Sequence, residues 1–167
     1  MSDPADESGR SPARRDGRPT ERFERQHAEL VSLAKALGAE LDTRKIAADP
    51  GPARRALAAF SGKLKVHAAM EQEALYPRLL ASRDPSVAEK ARALAAEVGD
   101  LYEGFFGFLA RWQSAEAVQT APDEFGRETM VQLHRLGVRM KRENRELYPL
   151  VDAIEGDLEA PAGARAR

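Results

Sequence analysis

Two ionisable residues four positions apart recur in this chain, each pair ahead of the same tripeptide. His67 and Glu71 precede Leu75-Tyr76-Pro77; Arg139 and Glu143 precede Leu147-Tyr148-Pro149, so Glu-x-x-x-Leu-Tyr-Pro occurs twice, 72 residues apart. Both copies lie in stretches with helical periodicity, where residues i and i+4 share a face. An imidazole and a carboxylate one turn apart can hold a metal cation. A guanidinium and a carboxylate one turn apart hold each other. The first copy is therefore spaced for metal ligation and the second for a salt bridge.

These side chains need rods to carry them, and the apolar pattern supplies four. Nothing in the sequence alternates like a strand. Helix one is expected from Thr20, as N-cap, to Leu41, with Phe23, His27, Leu30, Ala34 and Leu37 in a narrow arc. The connector Asp49-Pro-Gly-Pro52 precedes a second helix to Ala81 whose stripe holds Phe60, Leu64, His67, Met70, Glu71 and Ala74. A third follows Arg83-Asp-Pro-Ser86 and runs to Trp112, burying Leu94, Val98, Leu101, Tyr102, Phe105 and Leu109. A fourth opens at Ala121-Pro-Asp123 and buries Leu133, Leu136, Met140, Glu143, Leu147, Val151 and Ile154. Proline and aspartate sit where helix starts favour them. The expected fold is all-α, an antiparallel up-down four-helix bundle. Pro77 and Pro149 are expected to loosen or kink the rods that contain them.

Four ionisable residues fall inside apolar stripes: His27, His67, Glu71 and Glu143. Taken singly, an inward histidine is ordinarily a hydrogen-bonded core residue, and a glutamate near a stripe end ordinarily reaches water. Taken together, two buried carboxylates and two imidazoles incur several kcal/mol of desolvation unless something neutralises them. A bound cation does so, and bundle cores host such carboxylate–histidine sites. Arg139 falls at the edge of its stripe. His134, nine positions before Glu143, faces the other way and receives no role. The aromatic run Tyr102, Phe105, Phe106, Phe108 and Trp112 reads as core packing, and Gly104 and Gly107 within it would let another helix approach closely.

Composition narrows the chemistry. The chain has 167 residues, 43% of them apolar, a net charge of −1 and no cysteine. Disulfides and thiolate-held zinc or iron–sulfur centres are excluded, so any metal must rest on His, carboxylate or Tyr. Charges of both signs are interspersed, which makes no case for nucleic-acid binding. The polar, Pro- and Gly-rich ends, 1–19 and 157–167, are expected to be disordered tails around a domain spanning 20–156. No secretory leader or transmembrane-length apolar run is present, so a cytoplasmic location without a membrane partner is expected.

Over residues 20–155 the chain resembles the hemerythrin-like, HHE cation-binding family. The resemblance is carried by Gln26-His27 through Leu30, by His67-Ala-Ala-Met-Glu71-Gln-Glu-Ala-Leu-Tyr-Pro77, by Leu136-Gly137, and by Glu143-Asn-Arg-Glu-Leu-Tyr-Pro149. It implies two irons bridged by carboxylates, with His27, His67, Glu71 and Glu143 on ligand positions. It also implies histidines near Val98 and Tyr102 and at Arg139, and this chain has none there. The missing imidazoles are those of one iron. Two outcomes are open. One metal ion survives on His27, His67, Glu71 and Glu143, with Arg139 as a fixed cation in the vacated half and Tyr102 as a further ligand or hydrogen-bond partner. Alternatively no metal binds, and Arg139 bridges Glu71 and Glu143.

The resemblance implies iron, with a small diatomic ligand, in oxygen, redox or nitric-oxide sensing or in iron handling. The metal-free alternative is a regulatory bundle that binds a protein partner. A short stretch, Leu136-Gly137 with Arg139-Met-Lys-Arg-Glu143-Asn, also resembles regulators that sequester a bacterial sigma factor. No enzymatic activity is expected, because a carboxylate-bridged oxidase needs a complete dinuclear site with an open position.

Overall fold

The computed structural model describes residues 17–159, with side chains described as far as Ile154. The tails expected over 1–19 and 157–167 fall largely outside those residues. Every described element is helical: α1 (Glu21–Ala39), α2 (Thr43–Ala48), α3 (Gly51–Ala74), α4 (Tyr76–Leu80), α5 (Pro85–Arg111), α6 (Ala115–Thr120), α7 (Pro122–Arg142), a π-helical turn (Glu143–Leu147) and α8 (Tyr148–Glu159). The short helices α2 and α6 lie just ahead of the expected connectors Asp49–Pro52 and Ala121–Asp123 and were not among the four expected rods. Side-chain caps explain both: Asp42 accepts from the Lys45 amide and Ser114 from the Ala117 amide. Asp84 caps α5 in the same way.

Two expected rods are interrupted where the repeated tripeptide falls. A proline in a helix lacks the N–H for the turn before it, and its ring collides with that turn's carbonyl. The two copies resolve this differently. At the first, the helix breaks at Leu75 and restarts as α4 with Pro77 in its first turn. At the second, the Tyr148 amide bonds the Glu143 carbonyl five residues back, and the chain passes through a wide turn without stopping.

Two clusters of buried side chains fill the interior. One joins Leu30 and Leu37 of α1, Leu57 and Phe60 of α3, Phe105 and Phe108 of α5 and Phe125 and Leu136 of α7. The other joins Phe23, Leu79, Leu94, Leu147, Tyr148 and Val151 at the opposite end. His27, His67, Glu71, Glu143 and Val98 are buried yet belong to neither cluster.

Thr20 stands at the start of α1 without capping it; its hydroxyl instead meets the Asp152 carboxylate of α8 at 2.9 Å. Phe106, expected in the core, is 48% exposed, whereas Phe105 and Phe108 on either side of it in the run are buried. Of the two glycines in that run, a Cβ at Gly104 would lie 3.3 Å from the Arg135 guanidinium, while Gly107 faces open space. Neither admits another helix backbone.

Candidate metal centre

Helices α1 and α3 and the π-helical turn that follows α7 deliver the four stripe residues to one point. One ligand atom from each of His27, His67, Glu71 and Glu143 lies within 4.8 Å of all the others. None of the four residues is more than 3% exposed. His27 Nε2 lies 3.0 Å from His67 Nε2 and 3.2 Å from Glu143 Oε2, and His67 Nε2 lies 3.6 Å from Glu71 Oε1.

Two amides fix how the imidazoles face. Asn144 Oδ1 lies 2.7 Å from His27 Nδ1, and Gln26 Oε1 lies 3.0 Å from His67 Nδ1. An amide oxygen only accepts, so each Nδ1 carries the proton and each Nε2 turns its lone pair toward the centre. Two lone pairs at 3.0 Å repel unless a proton or a cation lies between them. Bracing of the outer nitrogen is also how metal-binding histidines are usually held. Gln26 is itself positioned by a bond from its Nε2 to Met70 Sδ at 3.1 Å.

The second half of the pocket is occupied by Arg139, which is buried at 7% exposure rather than at the rim. Its Nε donates to Glu143 Oε1 at 2.6 Å and its Nη2 to the Tyr76 hydroxyl at 2.7 Å. The expected bridge to both glutamates is therefore half formed. Glu71 is engaged instead by the Tyr148 hydroxyl, which donates to its Oε1 at 2.6 Å and stands 3.1 Å from His27 Nε2. The tyrosines of the two Leu-Tyr-Pro copies thus cross over, each serving the other copy's ionisable group.

The electrostatics follow. Burial, then the neighbouring Glu143, pushes the Glu71 carboxyl up to about 8, against the Tyr148 bond and Arg139. Burial opposes charge on Glu143 most of all, but the adjoining His27 ring and the charge and hydrogen bond of Arg139 outweigh it and hold its carboxyl below the usual range. Burial, then His27, brings His67 down to about 4. Burial pushes the Tyr76 phenol up to about 12, and burial followed by Glu143 and Glu71 pushes Tyr102 up further. Near neutral pH the Arg139–Glu143 pair is ionised, Glu71 keeps a proton and His67 is neutral.

The donor set fits a single cation. Ligand atoms sharing an ion at bond lengths of about 2.0–2.2 Å are separated by at most about 4.4 Å, so the observed 4.8 Å spread closes with shifts of a few tenths of an ångström. Two imidazoles and two carboxylates suit iron, manganese or zinc. A second ion meets a guanidinium and no further imidazole: Val98 is buried and apolar, and Tyr102 makes no hydrogen bond to any described residue. His134 is exposed, away from the centre. Sequence reasoning gave no role to Gln26, Asn144, Tyr76 or Tyr148. The available signals were the tyrosine in both repeats and an amide residue beside a candidate ligand on α1 and after α7.

A buried carboxylate–histidine cluster spanning three rods of a helical protein defines a cation-binding helical domain. Residues 18–151 match the hemerythrin HHE cation binding domain, and the chain belongs to that family. No curated protein and no solved structure matches it.

Proposed function

We propose that this is a hemerythrin-type protein that holds one metal ion on His27, His67, Glu71 and Glu143, with Arg139 standing in for the second. The supporting observation is the pair of amide-braced histidines whose Nε2 lone pairs face each other at 3.0 Å beside two carboxylates. Iron in such a site exchanges one electron readily, which suits oxygen, redox or nitric-oxide sensing, or iron handling, better than reversible oxygen carriage by a dinuclear pair. The protein's own groups set the terms: the amides aim the imidazoles, Arg139 balances Glu143, and Tyr148 holds Glu71 in place. A small diatomic molecule is the expected further ligand.

The rods are read as an antiparallel up-down bundle, since the start of α1 shares a cluster with α4, the first half of α5 and α8. Among the described residues no helix is long and apolar enough to cross a membrane. The proposed setting is the cytoplasm.

A second reading has its own support. Both carboxylates already have partners within the chain, Arg139 for Glu143 and Tyr148 for Glu71, each at 2.6 Å. On that reading the cluster is structural and the bundle is a metal-free regulator of a protein partner. Elemental analysis of protein prepared anaerobically with excess iron, manganese or zinc separates the two. About one equivalent, lost in His67→Ala, supports the metal site. No bound metal at any loading leaves the regulatory reading.

A further inference from the structure

The two Leu-Tyr-Pro copies direct their tyrosines to different groups. The Tyr76 hydroxyl meets Arg139 Nη2 at 2.7 Å, and a guanidinium there bars a cation from that oxygen. The Tyr148 hydroxyl lies among the ligand atoms instead, 2.6 Å from Glu71 Oε1 and 3.1 Å from His27 Nε2. It stands as close to His27 Nε2 as Glu143 Oε2 does, at 3.2 Å. Tyr148 is fully buried, and its ring rests against those of His27 and Phe23, with centroids 5.3 and 5.9 Å away.

The backbone explains the difference. In an unbroken rod, residues five positions apart point about 140° away from each other. The wide turn from the Glu143 carbonyl to the Tyr148 amide takes up one of those residues, so both side chains face the centre. Spacing then decides what the phenolic oxygen can do. Donors that share one ion stand about 2.8–4.4 Å apart. The His27 contact falls in that range, and the Glu71 contact enters it once the proton between the two oxygens leaves. Burial and then Glu71 keep the phenol protonated without a cation. A bound ion displaces such a proton to solvent, as metals do with coordinated thiols and water. We propose that Tyr148 is a fifth donor to the metal held by His27, His67, Glu71 and Glu143. A third anionic oxygen makes the donor set hard, which suits iron(III) better than zinc.

The inference rests on the one-metal reading, so its test separates the two. The full chain is loaded with iron(III) nitrilotriacetate and freed of excess reagent. Iron is counted by elemental analysis, and its ligands are read by absorption and resonance Raman spectroscopy. A phenolate on iron(III) gives a visible charge-transfer band, and excitation in that band enhances tyrosine ring modes. The unaltered protein should hold about one iron and show both signals. Tyr148→Phe should lose the band, whereas Tyr76→Phe and Tyr102→Phe should keep it. The chain has three tyrosines, so a band kept in those two variants belongs to Tyr148 even if Tyr148→Phe does not fold. Bound iron without the band overturns the proposal and leaves the one-metal reading standing. A band that survives Tyr148→Phe, or vanishes in Tyr102→Phe or Tyr76→Phe, assigns the ligand to another tyrosine and also overturns it. No bound iron overturns both.

Discussion

The Tyr148 hydroxyl donates to Glu71 Oε1 at 2.6 Å, joining residues from opposite copies of the repeated motif. Both groups are buried, and this bond holds the Glu71 carboxyl down against desolvation. Tyr148→Phe should therefore cost about 1–3 kcal/mol in denaturant unfolding and drive Glu71 further toward its protonated form. Unchanged stability would mean that water replaces the phenol at no cost.

Stability of the metal-free protein should depend on pH in two opposed windows. Glu71 binds its proton more tightly folded, at about 8, than unfolded, at 4.5, so its contribution is full below pH 4.5 and is lost as pH rises through 8. His67 is shifted down from 6.5 to about 4, so its contribution is present above 6.5 and is lost as pH falls through 4. Between these the two largely cancel, whereas above pH 6.5 Glu71 acts without His67. Unfolding free energy should fall by roughly 2 kcal/mol from pH 6.5 to 8, at about 1.4 kcal/mol per unit. Saturating zinc, which takes the place of the Glu71 proton, should remove the decline. A metal-free stability that climbs across this window would show Glu71 ionised in the folded state.

Arg139 is a buried cation with two strong bonds, and its Nη1 has no hydrogen-bond partner among the described residues. Removing it leaves the Glu143 charge uncompensated. Arg139→Ala should destabilise the bundle by about 3–5 kcal/mol in chemical denaturation. A change of a few tenths would mean that the guanidinium reaches water.

The amide braces can be tested without touching a ligand. Asn144→Ala frees His27 Nδ1 at an exposed position. Metal affinity, measured by competition with a chromophoric chelator, should fall about 10- to 100-fold, with only a small change in unfolding free energy. Equal affinity would show that the His27 ring is held by packing alone.

Restoring the absent imidazoles tests the other half of the pocket. The triple substitution Val98→His, Tyr102→His and Arg139→His should raise the bound metal from about one equivalent to about two by elemental analysis. If the count does not rise, α5 and α7 no longer converge on a second ion.

The buried four-residue cluster was legible because a helix face repeats every three to four residues, which exposes a His or Glu standing where a Leu belongs. His27, His67, Glu71 and Glu143 all announce themselves in this way. Asn144 does not: it is exposed, and it matters only because another helix brings His27 beside it. The Tyr76–Arg139 and Tyr148–Glu71 contacts join residues 63 and 77 positions apart, beyond the reach of local periodicity. Pro77 and Pro149 signal disturbed helices, but the same tripeptide yields a break in one rod and a wide turn in the other. The expectation for Phe106 failed because an aromatic run does not show which member turns to solvent: Phe105 and Phe108 are buried and Phe106 is not.

The wide turn at Glu143–Leu147 has a reach beyond the centre it adjoins. It absorbs one more residue than an ordinary helical turn, so α8 is rotated by about 100° from where an unbroken rod would carry it. Asp152 lies on that rotated segment, and it clasps Thr20 at the mouth of α1. Excising a single residue from the turn would swing the clasp out of line and unfasten the two ends of the domain. One surplus backbone unit thus acts as a spacer that lets α8 lock onto the start of α1.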